Sequence, residues 1–90
     1  MNKPRRKRIQ EVIDRLEALQ TELEELMADV EVIKDEEEEY RDNIPENLQS
    51  SERYEMAEAS CDNLEEASSN LDEVDSYISD VLEVLTNAME

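Results

Sequence analysis

Apolar residues recur in the first half of the chain at Ile9, Val12, Leu16, Leu19, Leu23, Leu26, Val30 and Ile33. This is the alternating three-and-four spacing of heptad a and d positions, and four heptads in one register predict a long amphipathic helix. Ile13 and Met27 widen the stripe on the e side, making it broader than a two-stranded seam requires. The helix is predicted from about residue 4 to residue 40. Pro4 suits a first turn, and Pro45 pushes Ile44 out of the helical region. Asn43 reads as a left-handed cap in a chain without glycine.

Residues 41–50 then form a loop, and Ser50 or Ser51 is placed to cap a second helix over about residues 51–89. Tyr40, Ile44, Leu48 and Tyr54 are apolar enough to close that end as an ordered cluster. In the second helix Ala57, Leu64, Leu71, Ile78 and Leu85 hold one heptad position, and Ser60, Ala67, Val74, Val81 and Ala88 hold the other. Small side chains line its first half, whereas Tyr77, Ile78, Val81, Leu82, Val84, Leu85 and Met89 make its last part broadly apolar. Close helix approach is expected at one end and wide burial at the other.

These elements predict an all-α fold over residues 1–90: a long, coiled-coil-like antiparallel helical hairpin in one domain, with a basic segment at 1–8. A helix of this size is about 55 Å long at ~1.5 Å per residue. Two such helices cannot cover both of their broad faces, so the hairpin is expected to homodimerise into a four-helix bundle. Leu16, Leu19, Leu23, Leu26, Leu71, Ile78, Leu82 and Leu85 are its expected core and dimer residues.

Charge changes the picture. The chain has 27 acidic against 9 basic residues, and five of the nine lie in the first eight positions. Residues 9–90 therefore carry four basic against 27 acidic residues, a net of −23. So acidic a chain could be disordered, but the sustained heptads argue for a folded rod. The register lines up Glu17, Glu24, Glu31 and Glu38 in one outer row, Glu22, Asp29 and Glu36 in another, and Glu58, Glu65 and Asp72 on the second helix. Asp35, Glu36, Glu37, Glu38 and Glu39 form a dense cluster beside the loop, with Asp42 just beyond. Over ~55 Å this is one charge per ~2.4 Å, against one per about 1.7 Å of duplex DNA.

Such rows also serve simply as solvated faces that keep a rod soluble. Two details favour function: the acidic cluster sits at the C-terminal end of the first helix and the basic run at its N-terminal end, each against the helix dipole. The basic run, Lys3 to Arg8, has two readings, neutralising the acidic C-terminal end of helix two or contacting a partner.

Other chemistry is largely excluded. There is no His, Gly, Trp or Phe, no calcium-loop pattern with its central glycine, and no Glu-x-x-His motif for a metal pair. No metal, cofactor or catalytic residue is assigned, and an enzyme is not expected. Cys61 has no internal disulfide partner and no His to activate it, so it reads as an inert buried thiol. No stretch resembles a signal peptide or a membrane span, which points to the cytoplasm.

The segment from Glu36 to Ala67, EEEEYRDNIPENLQSSERYEMAEASCDNLEEA, resembles small acidic uncharacterised proteins of phages, conjugative elements and genomes of Gram-positive bacteria. In these a basic start, an acidic first helix, a YRDNIPENLQ-type loop and a DNLEEA-type second helix recur. The resemblance carries no assigned activity. It implies a mobile-element setting, where small acidic proteins often block nucleic-acid-binding defence enzymes such as CRISPR and restriction nucleases.

The expected function is therefore binding: an acidic surface of Glu24, Glu31, Asp35, Glu36, Glu37, Glu38, Glu39, Asp42, Glu58 and Glu65 that mimics nucleic acid and occupies the basic groove of such an enzyme. Direct nucleic-acid or membrane binding is not expected. The alternative is a structural or adaptor bundle that docks a protein through its loop and the apolar face of helix two. A chaperone for basic proteins would use the same charge with less selectivity.

Overall fold

The computed structural model describes residues 1–90. Its two long helices, α1 (Lys3–Asp42) and α2 (Glu52–Ala88), are joined by a short connection holding one 3-10 turn, Glu46–Leu48. They pack antiparallel as a hairpin measuring 70 × 15 × 13 Å. The rod is longer than ~55 Å because α1 has 40 residues and the loop extends beyond it. No helix is long and apolar enough to cross a membrane.

Local chemistry accounts for the helix ends. The Asn2 side chain accepts from the Arg5 N–H at 2.8 Å, satisfying one of the free donors of the first turn, and Pro4 stands where no N–H is needed. At the other end Asn43 is right-handed (φ −85°, ψ −4°), and no residue of the chain has positive φ. The left-handed cap expected at Asn43 is therefore absent. Its N–H continues to Glu39 O at 3.0 Å and that of Ile44 turns to Arg41 O at 3.1 Å, so α1 tightens and stops without needing an αL residue. Pro45, extended at ψ 145°, then redirects the chain. Of the two candidate serines Ser51 caps α2, accepting from the Tyr54 N–H at 3.3 Å, while its hydroxyl donates to Leu48 O.

The loop cluster is narrower than expected. Ile44 is buried and Tyr54 half-buried, but Tyr40 and Leu48 are exposed. Tyr40 instead holds Arg53: the guanidinium Nε donates to its hydroxyl at 2.8 Å, with the cation 5.3 Å from the ring centroid.

The seam corrects the heptad assignment. On α1 the covered residues are Ile9, Ile13, Leu16, Gln20, Leu23, Met27, Val30, Lys34, Glu37 and Arg41, with Glu38 half-buried at their edge. On α2 and its C-cap Met89 they are Tyr54, Ala57, Cys61, Leu64, Ser68, Leu71, Asp75, Ile78, Leu82, Leu85 and Met89 itself. The row containing Ile13 and Met27, read as a mere widening of the stripe, is thus half of the seam. Val12, Leu19, Leu26 and Ile33 lie outside it, as do Ser60, Ala67, Val74, Val81 and Ala88. Of the residues expected in the core or the dimer interface, Leu16, Leu23, Leu71, Ile78, Leu82 and Leu85 lie at the seam, and Leu19 and Leu26 lie outside it.

Polar side chains explain the choice. Gln20 Nε2 donates to Asp75 Oδ1 (3.2 Å) and Ser79 Oγ (2.9 Å), and Ser68 Oγ donates to Glu31 (3.1 Å) beside the Lys34–Glu31 ion pair (3.0 Å). Gln20 and Glu31 of α1 thus bond to Asp75, Ser79 and Ser68 of α2, which fixes the register, while Lys34 and Arg41 pair with carboxylates of α1 itself. Beside the apolar row of Ile9, Leu16, Leu23 and Val30, α1 turns inward the row that holds Gln20 and Lys34 and leaves outside the more apolar row of Val12, Leu19, Leu26 and Ile33. Only Ile13, Leu23, Ile44, Ala57 and Cys61 are buried. The wide burial expected at the end of α2 does not occur within the chain: Tyr77 and Val84 are among its most exposed apolar side chains.

Candidate functional site

An antiparallel seam divides the hairpin's surface into two flanks, because equivalent flanking positions of the two helices face one another across it. On one flank α1 contributes the row Glu17, Glu24, Glu31, Glu38 and α2 the row Glu58, Glu65, Asp72, Ser79. The Gln20–Ser79 and Glu31–Ser68 bonds both cross the seam on this flank. Lys34 lies within the electrostatic reach of Glu31, Glu38 and Glu65, so carboxylates of both helices converge on it. Asp14 and Asp35 on α1, and Glu55 and Asp62 on α2, extend the same flank outward. We call this the acidic flank.

The opposite flank is marked by the Tyr40–Arg53 contact. It carries Val12, Leu19, Leu26, Ile33 and Tyr40 from α1 and Ser60, Ala67, Val74, Val81 and Ala88 from α2, with Met56, Asn63, Asn70, Tyr77 and Val84 beside them. The contribution of α2 to this apolar flank includes no carboxylate at all.

The expected acidic surface is thus sorted by the fold. Glu24, Glu31, Asp35, Glu38, Asp42, Glu58 and Glu65 fall on the acidic flank by register. Glu39 lies on the outer back of α1, Glu36 turns toward the apolar flank, and Glu37 is half-buried at the seam. The cluster at residues 35–39 is therefore wound around the helix and is not a single patch. Lys34, Gln20 and Asp75 were not expected at the site; their sequence signal is a polar residue recurring at heptad distance beside the apolar stripe.

The electrostatics of the flank centre on Lys34. Its hydrogen bond to Glu31 raises the amine's pKa, against desolvation that lowers it. The Glu31 carboxyl is lowered by hydrogen bonds from Lys34 first and Ser68 second. Nearer the loop, Arg41 is paired with Asp42 at 3.1 Å, which raises the guanidinium pKa. These are the chain's two ion pairs; the basic N-terminal residues make none, and so do not neutralise the end of α2 by direct contact. Burial pushes the Cys61 thiol up, only partly opposed by Arg41, so the buried site disfavours the thiolate.

The carboxylates run in rows, and no group of three or more Cys, Asp or Glu is arranged to hold a metal ion. Along the 70 Å rod the net −23 of residues 9–90 amounts to one charge per ~3 Å, below the density expected of a shorter rod and about half that of duplex DNA. What the flank can do chemically is present a long, regular series of anionic oxygen acceptors to a cationic surface.

No protein-family model matches the chain, and neither a curated protein nor a solved structure is significantly similar to it.

Proposed function

We propose that the acidic flank is the working surface of a non-enzymatic inhibitor, which occupies the nucleic-acid groove of a defence enzyme, a CRISPR or restriction nuclease, in place of the phosphate backbone. The observation that carries this reading is the juxtaposition of Glu17, Glu24, Glu31 and Glu38 with Glu58, Glu65 and Asp72 across one seam, with Lys34 the cation among them. Like charges facing each other across an antiparallel helix pair oppose its closure. Solubility alone would be served by carboxylates on the outer back, such as Glu25 and Glu66, at no such cost. A ladder of anions along a stiff rod gives a basic groove the counterion release that dominates nucleic-acid affinity. The protein acts in the cytoplasm, where such enzymes meet invading DNA, and as a homodimeric four-helix bundle whose two acidic flanks both face outward.

The test is inhibition of DNA cleavage across a panel of purified CRISPR effector and restriction nucleases. For a susceptible enzyme, inhibition falls steeply with salt, is competed by duplex DNA, and is lost when Glu24, Glu31, Glu38, Glu58 and Glu65 are reversed to lysine in a variant that circular dichroism shows to be helical. Reversing Glu25 and Glu66 on the back leaves it intact. Inhibition that survives reversal of the flank rejects the reading. The apolar flank supports a second one, an adaptor that docks a protein through α2; its complexes would resist salt and fail on Tyr77→Asp or Val84→Asp instead.

A further inference from the structure

We infer that the partner of the apolar flank is a second copy of this chain laid head to tail, each α1 against the other α1, with the two-fold axis passing beside Glu22 and Leu23. This rests on the dimer proposed above and specifies its face, direction and register.

Area argues that the flank is covered. The chain exposes 6755 Å², about 1,300 Å² more than a compact folded monomer of 10.5 kDa. A face 70 Å long and 13–15 Å wide offers on the order of 1,000 Å², above the ~800 Å² per partner of a standard interface. The excess is also located: Val12 (43%), Leu19 (54%), Leu26 (48%) and Ile33 (50%) stay half-exposed on one line while Gln20 and Lys34 occupy the seam. An apolar row of α1 left outside the seam, while a row containing Gln20 and Lys34 lies inside it, is what a bundle buries.

Charge decides the occupant's direction. Two symmetric arrangements stack the flanks face to face: α1 over the partner's α1 with ends reversed, or α1 over the partner's α2 with both loops at the same end. Along the edge of the flank α1 carries Arg8, Arg15, Glu22, Asp29 and Glu36 at heptad spacing. Reversal about Glu22 sets Arg8 against Glu36 and Arg15 against Asp29, twice each by symmetry. The adjoining row reverses equally well: Leu19 meets Leu26, Val12 meets Ile33, and Arg5 meets the exposed ring of Tyr40. Its single conflict is Glu22 against its own copy on the axis. The other arrangement faces those five charges with Met56, Asn63, Asn70, Tyr77 and Val84, none of them charged, and gathers both basic N-terminal segments at one end. It leaves every α1 charge unanswered. Solvent-exposed pairs of this kind add little affinity, but they select orientation.

The experiment combines sedimentation equilibrium with a charge swap and a cross-link, in chains shown to be helical by circular dichroism. The unmodified protein sediments as a dimer at micromolar concentration. R8E/R15E and D29R/E36R each dimerise roughly tenfold or more weakly at low salt, and an equimolar mixture forms the heterodimer, in which all four pairs are restored although both chains stay strongly acidic. With Cys61→Ser as background, Glu22→Cys oxidises to a covalent dimer. A monomer throughout the micromolar range overturns dimerisation itself. A dimer that neither cross-links through residue 22 nor prefers the mixed pair overturns the head-to-tail arrangement and leaves the dimer standing.

Discussion

Replacing Ile13 and Leu19 with alanine, one at a time, tests the seam directly, because a plain a/d reading and the structure rank the two substitutions in opposite order. Ile13 is 4% exposed and Leu19 54%. Removing a buried Ile costs about 2–5 kcal/mol; in a seam only two helices thick, where solvent and neighbours refill the gap, the lower part of that range applies, about 2–3 kcal/mol. For a domain of this size that lowers Tm by roughly 10–20 °C. Leu19→Ala forfeits only the covered half of a side chain worth about 1.5–3 kcal/mol when fully buried, and regains a few tenths from alanine's helix propensity, so the isolated hairpin loses about 1 kcal/mol or less. If the apolar flank is covered in a dimer, the other half is lost too, once per protomer, and the penalty becomes concentration-dependent. The assay is thermal unfolding followed by circular dichroism at several protein concentrations. Ile13→Ala should be the more harmful at the lowest concentration, with the gap narrowing as concentration rises. Equal destabilisation by the two variants at every concentration would refute the seam described here.

Two further outcomes follow from the titrating groups. Glu31 is held below its ordinary pKa by Lys34, so its contribution to stability is present above about pH 4.3 and is lost as pH falls through its lower folded value; Lys34 is raised, so its contribution is present below about pH 10.4 and is lost above it. Lys34→Met should therefore change stability by a constant amount between those limits, measured by urea unfolding across pH; a difference that varies with pH near neutrality would contradict the pairing. Cys61, buried and shifted up, should react with a thiol reagent at pH 8 far more slowly in the folded protein than in urea, and Arg41→Ala, removing the one group that opposes the shift, should slow the thiolate-dependent rate further. Folded-state labelling as fast as unfolded labelling would show the site to be open.

The helices and their boundaries were legible because a repeat of seven over four heptads has one physical solution, and because Pro45 and Ser51 punctuate the chain between them. The acidic rows were legible for the same reason: a residue's row follows from its number once the register is known. Which rows face each other did not follow. On α1 the rows of Val12 and of Ile13 both border the Ile9 row, and counting apolar residues favours the wrong one, since Gln20 and Lys34 read as interruptions. They are the residues that decide the matter, through Asp75, Ser79, Glu31 and Ser68. Hydrophobic periodicity cannot weigh a hydrogen bond made to a helix more than fifty positions away. The juxtaposition of the two acidic rows, on which the functional reading turns, was hidden with it.

The cross-seam bonds form a ladder whose rungs join residues progressively farther apart in sequence: 13 positions for Tyr40 and Arg53, 37 for Glu31 and Ser68, 59 for Gln20 and Ser79. Loop-closure entropy rises with each span, but once the lowest rung has formed, every later one closes only a short additional length of chain. Such a molecule zips from the turn. On that reasoning Ile44 and Ala57, buried beside the loop, would be the starter, and the free end with the arginines would be the last part to close and the first to fray. Pulled by its two ends, the rod would open tooth by tooth rather than all at once, with the Lys34 and Gln20 layers as the two catches along its length.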